Sequence, residues 1–186
     1  MGVRRVCAAL AVTATVAGCG STAPAQSGRS QLERYLNRVV VEQRRYERTR
    51  GEAVSALRHA STVSPDRTWR DAAEQLRKVE REYDRLIGRM DAIAAPVALQ
   101  KAHAGMIESL QLYERLVANL EGPLGRRDVV AMGRTLSMTT KLGIRANQLR
   151  TRWRVAARTR AERLGLSFPV ALDHVGRQLL DQTPAA

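Results

Sequence analysis

The chain has 186 residues, enough for one ordinary globular domain, and a formal net charge of +13. Hydrophobic residues make up 44% of it, which excludes wholesale disorder. Aromatic residues make up only 4%, so most of the apolar material is Leu, Val and Ala, which favours helices over a sheet. Lysine occurs only at positions 78, 101 and 141. A coding bias explains this ratio of arginine to lysine, but the excess of basic over acidic residues predicts an anionic partner.

The first 18 residues have the order of an export signal. Arg4 and Arg5 precede an apolar run from Val6 to Ala17, and small residues lead to Cys19. An apolar run of about a dozen residues is too short to span a bilayer, which takes about 20. Two other interpretations stay open: an ordinary secretory signal in which Cys19 is incidental, and a retained anchor.

The segment Val16-Ala17-Gly18-Cys19 resembles the lipobox of bacterial lipoprotein signal peptides. The resemblance implies that residues 1–18 are removed and that Cys19 receives diacylglycerol. The two acyl chains would then hold the protein at the extracytoplasmic face of the cell membrane. Cys7 would leave with the signal, so the mature domain has no thiol for a disulfide, a cysteine zinc site or a nucleophile.

Residues 19–29 are small and polar, which predicts a flexible linker between the lipid and the domain. The segment Ser30 to Glu33 has the pattern of a capping box and opens a first helix over about 31–61. Apolar residues recur there every three or four positions, as on one face of a helix. Gln43 and Arg50 interrupt this apolar stripe.

A second helix is predicted to begin at Ser64-Pro65-Asp66, which combines a capping serine, a proline without a donor and an acid at the positive helix end. Its apolar residues run from Trp69 to Ile93 in alternating steps of three and four, which is a heptad pattern. Pro96 can begin a third helix with the same spacing. This helix is predicted to end in the Gly- and Pro-containing segment 121–125.

The fourth helix is predicted over about 128–164, with Gly165 as its stop. The remaining tail, residues 166–186, has the pattern of a short helix from Pro169 to about Leu180. Four amphipathic helices with short connections predict an all-α fold. The expected architecture is an antiparallel four-helix bundle over residues 30–165 with a short C-terminal helix, preceded by the cleaved signal peptide and the linker.

Known catalytic motifs are absent from the sequence. It contains no Glu-x-x-His for a di-iron site, no His-Glu-x-x-His, no Gly-rich phosphate loop and no Gly-x-Ser-x-Gly elbow. We therefore expect neither an enzyme nor a resident cofactor. An unusual hydrolase, built from groups distant in sequence, remains an alternative.

His103 lies on the core-facing stripe of the third helix, one turn from Met106. An imidazole and a thioether together suit a soft ion such as Cu(I), so these two residues are weak candidates for a metal or small-ligand site in the bundle interior. The competing interpretation is that His103 bonds a tyrosine or a backbone carbonyl and that methionines fill gaps in the core.

The fourth helix carries eight basic residues between Lys141 and Arg163 and one acid, Glu162. Such a helix can lie on an anionic surface with its aliphatic stems on the apolar side. The candidate contacts are Arg145, Arg150, Arg152, Arg154 and Arg158. Alternatively these arginines are solvated or pair with acids of the first helix, namely Glu33, Glu42, Glu47 and Glu52.

These observations predict a non-catalytic, lipid-anchored helical module of the cell envelope. Its expected partners are the lipid bilayer, through Cys19, and an envelope protein or an anionic envelope polymer. Nucleic acid is not an expected partner, because the protein is exported and tethered. With its signal, the chain resembles the uncharacterised helical lipoproteins of high-G+C Gram-positive bacteria.

Overall fold

The structure is a computed structural model that describes residues 23–62 and 66–176. The described chain forms five α-helices and no strand: α1 (Ala23–Thr62), α2 (Asp66–Asp91), α3 (Gln100–Gly125), α4 (Val129–Arg163) and α5 (Val170–Asp173), with a short 3-10 helix at Val97–Leu99. The predicted all-helical fold is confirmed. The export signal, Cys19 and the end of the tail from residue 177 lie outside the described residues.

The heptad pattern of α2 becomes its buried face. Seven apolar residues of this stripe are buried: Ala72, Leu76, Val79, Tyr83, Leu86, Met90 and Ile93. Steps of three and four keep them on one side of a helix that turns every 3.6 residues. Each long helix packs against the next one in the chain, and together they enclose a single hydrophobic core.

Helix α1 begins at Ala23, earlier than the sequence pattern indicated. Residues 23–29, predicted as part of a linker, are therefore helical. Pro24 lies in the first turn, where its missing N–H has no helical partner to lose. Gly28 costs a helix only about 1 kcal/mol relative to alanine, so nothing in the segment forces a later start.

Residues close to the helix termini explain where α3 ends and where α4 begins and ends. Pro123 lies inside the last turn of α3, which continues to Gly125. Helix α4 starts at the predicted place, where Asp128 caps it: the carboxylate accepts a hydrogen bond from the backbone N–H of Ala131 at 2.8 Å. Gly165 follows α4 with φ of +63°, a left-handed conformation that terminates the helix at the predicted place.

The tail folds differently from its prediction. Helix α5 has one turn and ends at Asp173, whereas the pattern suggested a helix to about Leu180. Gly176 has φ of +85°, which interrupts any helix there. Leu172 and Val175 are nevertheless buried, so this segment packs on the bundle.

None of the helices in residues 23–62 and 66–176 is both long enough and apolar enough to cross a membrane.

Candidate functional site

The contact between α1 and α4 is the most polar part of the interior. The two backbones approach each other less closely than those of helices adjacent in the chain. Large side chains with polar ends fill the space between them. They form two groups, which we call the His103 cluster (Tyr35, the Met90 carbonyl, His103 and Trp153) and the Arg150 cluster (Gln43, Tyr46, Tyr83, Tyr113 and Arg150).

The His103 cluster is a continuous chain of hydrogen bonds. Trp153 Nε1 donates to the hydroxyl of Tyr35 at 2.7 Å, and that hydroxyl lies 3.0 Å from Nδ1 of His103. Nε2 of His103 lies 3.0 Å from the backbone carbonyl of Met90. A carbonyl can only accept, so Nε2 carries the proton, and Nδ1 accepts from Tyr35. One neutral histidine thus satisfies every partner.

Burial acts on both titratable groups of this cluster. It lowers the pKa of His103 from its ordinary value of 6.5, partly offset by the hydrogen bond to Met90. It also raises the pKa of Tyr35 to about 12, with the Trp153 hydrogen bond opposing it. Both groups are therefore neutral near pH 7, as the hydrogen-bond pattern requires.

The candidate metal ligands His103 and Met106 lie in a part of the core that other protein groups already occupy. Both ring nitrogens of His103 are hydrogen-bonded, so a metal on either one would displace an existing bond. Met106 is buried in the core. The described residues contain no group of three or more His, Cys, Asp or Glu side chains that could hold a metal ion. The geometry is that of the competing interpretation, with bonds to a tyrosine and to a backbone carbonyl.

The Arg150 cluster places a cation in the interior. Arg150 is only 2% exposed, so its predicted contact with an outside surface is wrong. Its Nη2 donates to Oε1 of Gln43 at 2.6 Å, and its guanidinium carbon lies 3.8 Å from the centroid of the Tyr46 ring. Within the described chain, Nη1 is buried without a hydrogen-bond partner.

The phenol groups around Arg150 supply no negative charge to pair with it. Tyr46, Tyr83 and Tyr113 pack against one another with ring centroids 5.6–6.4 Å apart. Burial raises the pKa of Tyr83 and of Tyr113 well above the ordinary tyrosine range. Their phenols therefore stay neutral, and the guanidinium keeps its charge in a desolvated layer.

A small cleft opens beside Arg150, between α1, α4 and the tail. Its other lining residues that carry polar side chains include Arg50, Tyr113, Asn147 and His174. None of the described residues that line it is acidic. The cleft has room for about one water-sized group.

Two further arginines of α4 contact the C-terminal tail of the chain. Nη1 of Arg154 donates to the carbonyls of Asp173 at 3.1 Å and of Val175 at 2.9 Å. Arg158 forms an ion pair with the carboxylate of Asp173 and lies over the ring of Phe168. Both are half-buried and engaged within the chain, and their role in binding an anionic surface stays a prediction.

Arg145 and Arg152 are the exposed members of the predicted set. Arg145 pairs with Glu108 of α3 at 2.5 Å, not with an acid of α1. On α1, Glu42 pairs with Arg45 and with Arg89 of α2 instead. The arginines of α4 are thus divided between the interior, the tail and the surface.

A basic groove lies on the outer side of α1 and α2. We define it by four basic residues, Arg48, Lys78, Arg81 and Arg85, with Glu52, Glu82 and Thr49 between them. Arg85 pairs with Glu82, and Lys78 with Glu74 at 3.2 Å. Arg48 and Arg81 form no ion pair within residues 23–62 and 66–176. The groove was not predicted from the sequence, because the charged residues of α2 have the pattern of an ordinary solvent-exposed helix face.

Comparison with protein-family models, with curated proteins and with solved structures gives no match to this chain.

Proposed function

We propose that the protein is a lipid-anchored, non-catalytic helical binding module of the cell envelope. The lipobox-like segment ending in Cys19 supports the tether, and the packing of α1 to α4 in chain order supports an antiparallel four-helix bundle with a short C-terminal helix. The partner is an anionic envelope component, either an acidic protein surface or an anionic polymer.

The basic groove is the observation that carries the binding role. It concentrates four basic side chains on a solvent-exposed face, with only two acids among its lining residues. Clustered charge of one sign attracts an oppositely charged partner and sets its orientation more than its final affinity. Arg48 and Arg81 have no intramolecular ion pair in the described chain to give up, so they are available to such a partner.

The position of the start of α1 limits how far the helical domain can lie from a lipid on Cys19. Cys19 precedes Ala23 by four residues, which limits the distance between their Cα atoms to about 14 Å. Arg48 lies 25 residues further along α1, which corresponds to about 38 Å of helix. A chain anchored through Cys19 would therefore hold the start of α1 near the bilayer, with the basic groove far along the helix from this end.

The tether is tested by Cys19→Ser in the full-length protein expressed in its native host. We expect the wild type in the membrane fraction with a lipid-modified N-terminal cysteine seen by mass spectrometry. The variant should lose this modification and leave the membrane fraction. A wild-type chain that lacks the modification would contradict the lipid anchor.

The groove is tested by affinity capture of full-length protein from mild-detergent extracts of native membranes, washed at rising salt. The double variant Arg48→Glu/Arg81→Glu should lose the captured partner. Arg115→Glu/Arg134→Glu, at exposed positions of α3 and α4, makes the same change in net charge and should keep it. Equal capture by both variants would reject the groove as the binding surface. Mass spectrometry and polymer analysis of the eluate distinguish an acidic protein from an anionic polymer.

A further inference from the structure

Within the described chain, Arg150 carries a buried charge without a counter-ion. No carboxylate in residues 23–62 or 66–176 forms an ion pair with it, and the guanidinium is 2% exposed. Proteins normally pair or hydrogen-bond a buried ion, because removing it from water is costly. The amide of Gln43 and the ring of Tyr46 provide only part of this compensation.

The unsatisfied atom of Arg150 belongs to a residue that lines the cleft. Nη1 has no acceptor among the described residues, while Nη2 and the ring face are occupied. A second guanidinium, that of Arg50, lines the same cleft, together with the amide of Asn147 and the imidazole of His174. Among the described residues the lining therefore contains donor groups and no acid, and Nη1 of Arg150 is its buried atom without an acceptor.

We infer that this cleft is a binding site for a single carboxylate group, with Arg150 as its anchor. Nη2 already donates to Gln43, so one carboxylate oxygen would accept from Nη1, and the group would supply the missing negative charge. The cleft has room for about one carboxylate oxygen, so the rest of the ligand, a small molecule or an acidic chain, would lie at its mouth. This site lies between α1 and α4, apart from the basic groove between α1 and α2, so it does not depend on the proposed partner.

The tail forms one wall of this site. His174 and Gly176 line the cleft, and Arg154 and Arg158 hold the preceding residue Asp173 to α4. A carboxylate can come from solution or from the chain itself, since Asp181 follows Gly176 by five residues. Both sources have the same chemistry, and variants of the full chain separate them.

The test is titration of the full-length protein with ¹³C-labelled acetate followed by NMR, with thermal unfolding in parallel. Acetate should bind the wild type at least tenfold more tightly than Arg150→Met and should raise the Tm of the wild type alone. Acetamide, which has the same shape without the charge, should do neither. Arg152→Met, at an exposed position two residues along α4, should bind acetate like the wild type.

A second variant keeps the test valid if Arg150→Met does not fold. Asn147→Asp places a carboxylate in the lining of the cleft, so it should raise Tm and abolish acetate binding. Asn119→Asp, the same change at an exposed site of α3, should alter neither. A lower Tm for Asn147→Asp would overturn the inference.

The remaining outcomes of the acetate titration also support or reject the proposed carboxylate site. If the wild type ignores acetate but Asp181→Asn binds it, the site stands and its carboxylate belongs to the chain's own tail. If neither protein binds acetate, or if Arg150→Met binds it equally, the site is rejected. Chloride that binds as tightly as acetate would reject the assignment to a carboxylate.

Discussion

Trp153 of α4 donates its indole N–H to the hydroxyl of Tyr35 of α1 at 2.7 Å, and both side chains are almost completely buried. This bond joins the first and last long helices where their backbones stay apart. Because Tyr35 in turn bonds His103 of α3, a single hydroxyl connects three helices. The register of α1 against the rest of the bundle therefore depends on a few polar atoms as well as on apolar packing.

Tyr35→Phe should destabilise the protein by about 2 kcal/mol. The variant keeps the ring but leaves the indole N–H of Trp153 and Nδ1 of His103 without their partner, and an unsatisfied buried group costs about 1–3 kcal/mol. Chemical denaturation measures the change as a shift of the midpoint at constant slope. Ser109→Ala is the control, because this buried hydroxyl bonds only the Met106 carbonyl within its own helix at 2.6 Å. A Tyr35→Phe effect no larger than that of Ser109→Ala would contradict the three-helix role of the hydroxyl.

Stability should fall as the pH drops below about 6.5 because of His103. Burial lowers the pKa of His103 from 6.5 in the folded protein, so below 6.5 the unfolded chain binds a proton that the folded chain does not. The stabilisation is complete above pH 6.5 and is lost as the pH falls toward the folded pKa. Protonated Nδ1 would also cease to accept from Tyr35.

The measurement is the free energy of unfolding between pH 7.5 and 5 for three proteins. His103→Gln does not titrate and should show a smaller loss than the wild type. His174→Gln, at an exposed position of the tail, should keep the wild-type loss. Equal losses in the wild type and His103→Gln would assign the pH dependence to other groups.

Much of the fold follows from spacing alone. The run from Trp69 to Met90 lies in α2 because its steps of three and four match the helical repeat, and Ile93 follows just after the helix ends. Asp128 and Gly165 bound α4 through local capping chemistry. The position of His103 in the core is likewise a consequence of periodicity. Its neutral, doubly bonded state depends on Tyr35, which lies 68 residues away in sequence.

The site at Arg150 could not be assigned in the same way. Arg150 is enclosed because it continues the buried stripe of Ala146 and Trp153, whereas Arg152 lies two positions further on, on the exposed side of α4. A charged residue is rarely fully buried, so the sequence pattern favoured a surface position for Arg150. One signal was present: Gln43 and Arg50 interrupt the apolar stripe of α1, and both line the cleft beside Arg150. Polar residues at core positions of α1 thus marked the place where it makes polar contacts with α4.

Arg154→Met should release the tail from α4. The substitution removes the donor that holds the carbonyls of Asp173 and Val175, and hydrogen bonds from charged groups contribute about 1.5–3 kcal/mol each. Leu172 and Val175 would then lose their protection from solvent. Hydrogen exchange should therefore accelerate at least tenfold over residues 170–176 while α2 and α3 stay unchanged. Arg152→Met serves as the matched control, and equal exchange in both variants would show that Arg154 does not hold the tail.

Gly176→Ala should destabilise the packed tail more than Gly165→Ala does. Both glycines have a positive φ, +85° and +63°, so alanine at either position costs about 1–2 kcal/mol of backbone strain. At Gly165 an added Cβ meets nothing within 4 Å, whereas at Gly176 it would lie 2.4 Å from Oγ1 and 2.9 Å from the backbone N of Thr151. Because one of these atoms is backbone, the clash cannot be relieved by rotating a side chain. Chemical denaturation of the two variants measures the difference, which we expect to exceed about 1 kcal/mol. Equal destabilisation would mean that the tail moves away from α4 at little cost, and it would then be too weakly held to form a wall of the cleft beside Arg150.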